Sequence, residues 1–128
     1  MGDLTADFSL SDFSCTDGTS VPADYKTNVI QLSKNLQILK NEVKKSIHIN
    51  SSYRTKSLNE KVGGSTTSQH LYAKAADITI KTMTPKEVHS KIEELIKKGT
   101  LSQGGLGLYN TFVHYDIRGS KSRWSKVK

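Results

Sequence analysis

Residues 63–80 read GGSTTSQHLYAKAADITI, and this one segment passes from loop to strand. Gly63 to Ser68 has the composition of a loop. Ala75 to Ile80 is a short apolar run ending in β-branched residues, which predicts a strand. Between them, six residues separate His70 from Asp77. With His70 at the end of the loop and Asp77 on the strand, the intervening turn brings both side chains to one point. Ala73, Ala75 and Ala76 are small enough to permit that approach.

Upstream, Ile47 to Tyr53 alternates and begins β-branched, which predicts a strand. Thr55 to Val62 predicts a short helix with Leu58 and Val62 inward. From about Ala23 to Lys45, Val29, Leu32, Leu36, Leu39 and Val43 recur at helical steps. That is one face of an amphipathic helix. A coiled-coil seam is the rival reading, weaker because the pattern lasts barely two heptads. The stretch ending near Val21-Pro22 reads as loop.

Downstream, Thr84-Pro85-Lys86-Glu87 is a helix start. Thr84 is the N-cap, Pro85 takes the first helical position and Glu87 closes a capping box. Val88, Ile92, Leu95 and Ile96 form its buried stripe, and Gly99 ends it. Gly105 to Tyr109 and Phe112 to Ile117 predict a hairpin around Asn110-Thr111. The remainder is a basic tail with the only tryptophan, Trp124. Helices mixed with short antiparallel strands give an α+β fold with one small sheet flanked by helices.

Length sets the domain count: 128 residues make one domain, 1–128. The single cysteine, Cys15, excludes an internal disulfide, and a packed rather than reactive thiol is expected. The N-terminus has no basic segment followed by an apolar one, so no secretory signal is read. No run approaches the roughly 20 apolar residues of a membrane span. The net charge of +7 favours polyanions such as nucleic acid, anionic lipid or wall polymers. The lysines are scattered, and no aromatic residues are interleaved among them as stacking platforms for nucleic acid.

Chemistry-bearing residues collect in three places: Ser51 to Arg54, Ser68 to Asp77, and Phe112 to Asp116. Side chains alternate along a strand, so Phe112, His114 and Asp116 share one face. Two histidines and one aspartate, His70, His114 and Asp77, suit a mononuclear zinc site with an open position. The alternative is structural: Asp77 caps a turn, and the histidines are half-buried hydrogen-bonding residues. His48 and His89 read as structural or exposed.

The blocks SSYRT (51–55), VGGSTTSQHLYAKAADI (62–78) and GGLGLYNTFVHYDIRG (104–119) resemble those of the zinc D-alanyl-D-alanine carboxypeptidase family. Its metal-site group includes lysostaphin-type enzymes and Hedgehog-like domains. The closer likeness is to a small phage and bacterial peptidase branch, and FSLSDFSCTDG (8–18) also resembles the opening segment of that branch. The resemblance runs from about Phe8 to Trp124.

It implies a Hedgehog-like or D-Ala-D-Ala-peptidase-like fold, and one zinc per chain on His70, Asp77 and His114. It implies that Arg54 contacts a substrate carboxylate or carbonyl, a task suited to a planar, always-charged guanidinium. Ser68 and Gln69 match the block before the first ligand and fall to substrate binding or to orienting His70. The implied reaction is hydrolysis of peptidoglycan stem or cross-bridge peptides, as carboxypeptidase or endopeptidase. Without a signal, such a protein would be made in the cytoplasm and reach the wall by phage-lysin or virion-like release. A monomer that binds no nucleic acid is expected.

Two departures stand out. Ala73 occupies a place where relatives usually carry glycine; if it needs positive φ, alanine costs about 1 kcal/mol. Relatives often carry an acid shortly before the third ligand, but Gly104 to Val113 hold none, and Asp116 is the only carboxylate side chain after Glu94. Asp116 is therefore the expected general base, with orientation of a histidine ligand as its alternative role. The lack of an upstream acid supports a rival function, a non-catalytic wall- or partner-binding module that retains the metal site. A basic nucleic-acid-binding protein is a second rival, which no motif supports.

Overall fold

The computed structural model describes residues 2–127. Three helices, α1 (Lys26–Val43), α2 (Lys56–Lys61) and α3 (Pro85–Lys97), accompany five strands. The strands are β1 (Ile47–Ser51), β2 (Ala75–Ile80), β3 (Gly105–Leu108), β4 (Val113–Asp116) and β5 (Ser122–Ser125). They form one sheet in the order β1-β2-β4-β3-β5. The first three pairings across the sheet are antiparallel, and β5 runs parallel to β3. The α+β architecture of a small sheet flanked by helices is thus present.

Alternation divides the sheet into two faces. Ala76, Ile78 and Ile80 of β2, Leu106 of β3, and Val113 and Tyr115 of β4 join the apolar core with α1 and α3. Val29, Leu32, Leu36 and Leu39 of α1 and Val88, Ile92 and Leu95 of α3 are almost wholly buried there. Asn35, which no apolar pattern marks, is also buried. Its Oδ1 accepts hydrogen bonds from Ser102 N (2.8 Å) and Tyr115 Oη (3.3 Å), tying α1 to the sheet.

The opposite face carries polar residues in one register row. Ser51 pairs with Asp77, Asp77 with His114, His114 with Gly107, and Gly107 with Trp124. Five strands thus deliver five neighbouring positions to one line.

Several local expectations hold. The Thr84–Glu87 capping box forms, with Glu87 N donating to Thr84 Oγ1 (3.2 Å) and Thr84 N to Glu87 Oε1 (2.9 Å). Cys15 is buried. His48 is exposed and His89 half-buried. Among the described residues, no helix is long and apolar enough to cross a membrane.

Three expectations need correction. Val62 points outward, 57% exposed, and the buried residue of α2 is Asn59. Asn59 Nδ2 donates to Ser65 O (2.9 Å), so the helix spends its inward position on pinning the next loop. The supposed tail contains β5, which polar flanks conceal from a hydrophobic reading. Arg123 anchors this edge strand by donating to Glu93 (Nε–Oε2 2.9 Å) and to the Gly104 carbonyl (Nη1–O 2.6 Å). The opening loop contains a short 3-10 turn, Leu10–Phe13, whose Phe13 is fully buried and packs near Phe8 with ring centroids 6.2 Å apart.

Ala73 adopts φ 58°, the left-handed conformation. The strain of about 1–2 kcal/mol is partly offset because its methyl group is fully buried, worth about 0.8 kcal/mol.

Candidate active site

His70 lies in a 3-10 turn, Gln69–Tyr72, that follows the loop. Ser68 opens this turn: its Oγ accepts from His70 N at 3.2 Å. The left-handed Ala73 closes it, directing the chain into β2. The turn sets His70 over Asp77, which β2 presents directly across from His114 on β4.

His70 Nε2 stands 3.2 Å from Asp77 Oδ1, and His114 Nδ1 stands 3.4 Å from that same oxygen. One ligand atom from each of the three residues lies within 4.8 Å of the others. A tetrahedral ion with bonds of about 2.0–2.1 Å has ligand–ligand edges of about 3.3–3.4 Å. The two spacings that share Asp77 Oδ1 match such an edge, and the nitrogen, nitrogen, oxygen donor set is one that zinc accepts.

The far side of each histidine is fixed as well. His70 Nδ1 is 2.7 Å from the Ser52 carbonyl, which can only accept, so this nitrogen carries the hydrogen and Nε2 presents its lone pair. His114 Nε2 is 2.6 Å from Asp116 Oδ2, which leaves Nδ1 facing Asp77. All three candidate ligands are buried. Burial pushes the Asp77 carboxyl up in pKa, but the adjoining His114 and His70 rings overcome it and hold the group well below the usual carboxylate range. Burial pulls the His114 pKa down, and its bonds to Asp116 and Asp77 more than reverse this, leaving it raised.

Asp116 is completely buried behind His114. Its Oδ1 accepts from Gly105 N (2.8 Å) and Arg118 Nε (2.9 Å), and its Oδ2 from Arg118 Nη2 (2.8 Å) and His114. Burial raises its pKa, while the bonds from His114, Arg118 and Gly105 lower it more, so it too is held well below the usual range. Gly105 is required by close approach: a Cβ there would run into Asp116 Oδ2.

Arg54 sits at the other end of the row. Its Nη2 donates to Asp77 Oδ2 at 3.1 Å, and longer bonds of 3.4 Å reach Ser51 Oγ and Asn59 Oδ1. The Asp77 oxygens are thus divided, Oδ1 toward the histidines and Oδ2 toward the guanidinium.

The cluster opens on a cleft of about 530 Å³, within the usual range of ligand sites. Arg54, Ser68, Gln69, His70, Asp77 and His114 all line it. So do residues that the sequence reading did not select: Tyr109, Arg118 and Trp124. Trp124 stacks obliquely on His114, with ring centroids 4.8 Å apart. Asp77 is the only carboxylate among the described residues that line the cleft.

This buried donor set, held from behind and open in front, could hold one metal ion and leaves room beside it for a substrate. Residues 6–116 match the family model described as Peptidase M15, and the chain belongs to that family. The family is zinc-dependent, and its members are metallopeptidases. A comparison with curated proteins finds no match.

Proposed function

We propose that this protein hydrolyses peptide bonds in bacterial peptidoglycan, in stem or cross-bridge peptides, using one zinc ion held by His70, Asp77 and His114. The observation that carries this reading is that His70 Nε2 and His114 Nδ1 each stand one tetrahedral edge from Asp77 Oδ1, with all three residues buried at the floor of a cleft, in a chain of the M15 family. The surplus of seven positive charges suits an anionic wall. The reading includes a monomer that reaches the wall after release, in the manner of a phage lysin.

Zinc, when bound there, supplies Lewis-acid chemistry, acidifying a water and polarising a peptide carbonyl. The protein's own residues do the rest. Ser52 and Asp116 hold the two histidines in the tautomers and orientations that ligation needs. Arg54 steadies Asp77 and presents its guanidinium to a substrate carboxylate or carbonyl. Ser68 keeps the His70 turn in shape, and Gln69 offers an amide to the peptide backbone. Asp116 acts as an orienting carboxylate, because both its oxygens are engaged and none of it reaches solvent.

One observation favours a second reading, a module that binds wall peptides without cutting them. Asp77, the only carboxylate lining the cleft among the described residues, is already committed to the histidines and Arg54. Digestion of purified peptidoglycan separates the two. Zinc-loaded protein is expected to release fragments that mass spectrometry identifies by new peptide termini, and a chelator should abolish them. Intact peptidoglycan that nevertheless retains the protein would overturn the peptidase reading in favour of the module.

A further inference from the structure

The wall of the cleft opposite Arg54 is aromatic, and its chemistry is not used by the ligand set. Trp124 belongs to β5 and lies beside Gly107 in register. A Cβ at Gly107 would run into Trp124 Cε2 and Nε1, so the indole occupies the space over a strand position that has no side chain. This lets it reach the His114 ring. The guanidinium of Arg118 sits on the indole, 5.6 Å from the ring centroid.

Trp124 Nε1 donates to Tyr109 Oη at 3.0 Å. An indole N–H can only donate, so the phenol oxygen is the acceptor and keeps its own hydrogen for another partner. Phe112 stacks on the Tyr109 ring, 4.4 Å between centroids and 13° from parallel, which fixes the plane in which the hydroxyl swings. Tyr109, Phe112 and Trp124 all line the cleft that holds the three metal-binding donors.

We propose that Tyr109 is a catalytic hydrogen-bond donor: its hydroxyl, anchored by Trp124, donates to the substrate oxygen that gains negative charge as the peptide bond is broken. No proton is transferred in this step; the O–H stays on Tyr109 while the charge on its acceptor grows. Donation into the Tyr109 oxygen by the indole polarises the O–H and strengthens the bond it gives. A donor fixed before the reaction loses nothing to reorganisation as charge develops. The inference rests on the peptidase reading for its substrate.

The test uses Tyr109→Phe, which removes the hydroxyl and retains the stacked ring. With peptidoglycan as substrate, kcat is expected to fall about 10²-fold, while KM and zinc stoichiometry stay near wild type. Trp124→Phe, which removes the anchoring N–H, should lower kcat less. In parallel, a phosphinate analogue of D-alanyl-D-alanine, whose oxyanion imitates the developing charge, is titrated calorimetrically into zinc-loaded protein. Its affinity should drop at least tenfold in Tyr109→Phe.

If wild type cuts peptidoglycan and Tyr109→Phe cuts equally well, the Tyr109 role is overturned and the peptidase reading stands. If wild type does not cut, that reading fails and the phosphinate decides for Tyr109. Tighter binding to wild type supports the donor; equal binding, or none to either protein, overturns it.

Discussion

Replacing both His70 and His114 with alanine is expected to abolish zinc binding and to lower peptide hydrolysis by at least about 10³-fold. Two of the three donors that surround the site disappear, and Asp77 alone cannot hold a catalytic zinc, which takes three protein ligands. Lewis-acid stabilisation is worth several kcal/mol, and each 1.4 kcal/mol is about tenfold in rate. The fold should survive, because the apolar core lies on the other face of the sheet and includes neither histidine. Metal analysis checks the first part, and circular dichroism checks that the fold persists. Zinc retained at one per chain would show that the ion sits elsewhere.

Asp116→Asn is expected to weaken zinc binding about 10–100-fold although the residue touches His114 only at Nε2, not at Nδ1, the candidate ligand atom. The amide has nearly the shape of the carboxylate but only one oxygen. Gly105 N and Arg118 Nε both donate to Oδ1, so the amide oxygen stays there and the NH2 replaces Oδ2. That NH2 then faces His114 Nε2, which stands 2.6 Å from Oδ2 in the native protein. Two donors cannot share that contact, so the imidazole moves its hydrogen to Nδ1, the atom turned toward Asp77. A protonated Nδ1 has no lone pair for a metal. Zinc titration against a competing chelator measures the change. Unaltered zinc affinity combined with a large loss of turnover would instead make Asp116 the proton acceptor.

The sequence revealed most where a period or a cap imposed it. The stripes of α1 and α3, the Thr84 capping box and the alternation that puts His114 and Asp116 on one face all follow from local rules. Grouping His70 with Asp77 was legible because the turn between them is short and its residues are small. The hidden features depend on tertiary contact. Asn59 and Asn35 are polar residues buried for their hydrogen bonds, which no hydrophobic pattern marks. β5 is an edge strand whose anchor, Glu93, lies 30 residues away. Arg118 could have been noticed as a cation two residues beyond Asp116. The Tyr109–Trp124 pair is joined across β3 and β5, and only the bare backbone at Gly107 allows Trp124 to reach His114.

Anomalous diffraction from zinc-soaked crystals, recorded on both sides of the zinc absorption edge, tests the central claim most directly. One strong peak per chain should appear, about 2.0–2.2 Å from His70 Nε2, Asp77 Oδ1 and His114 Nδ1. No peak within reach of these three atoms, or a peak bound by other residues, would contradict the account.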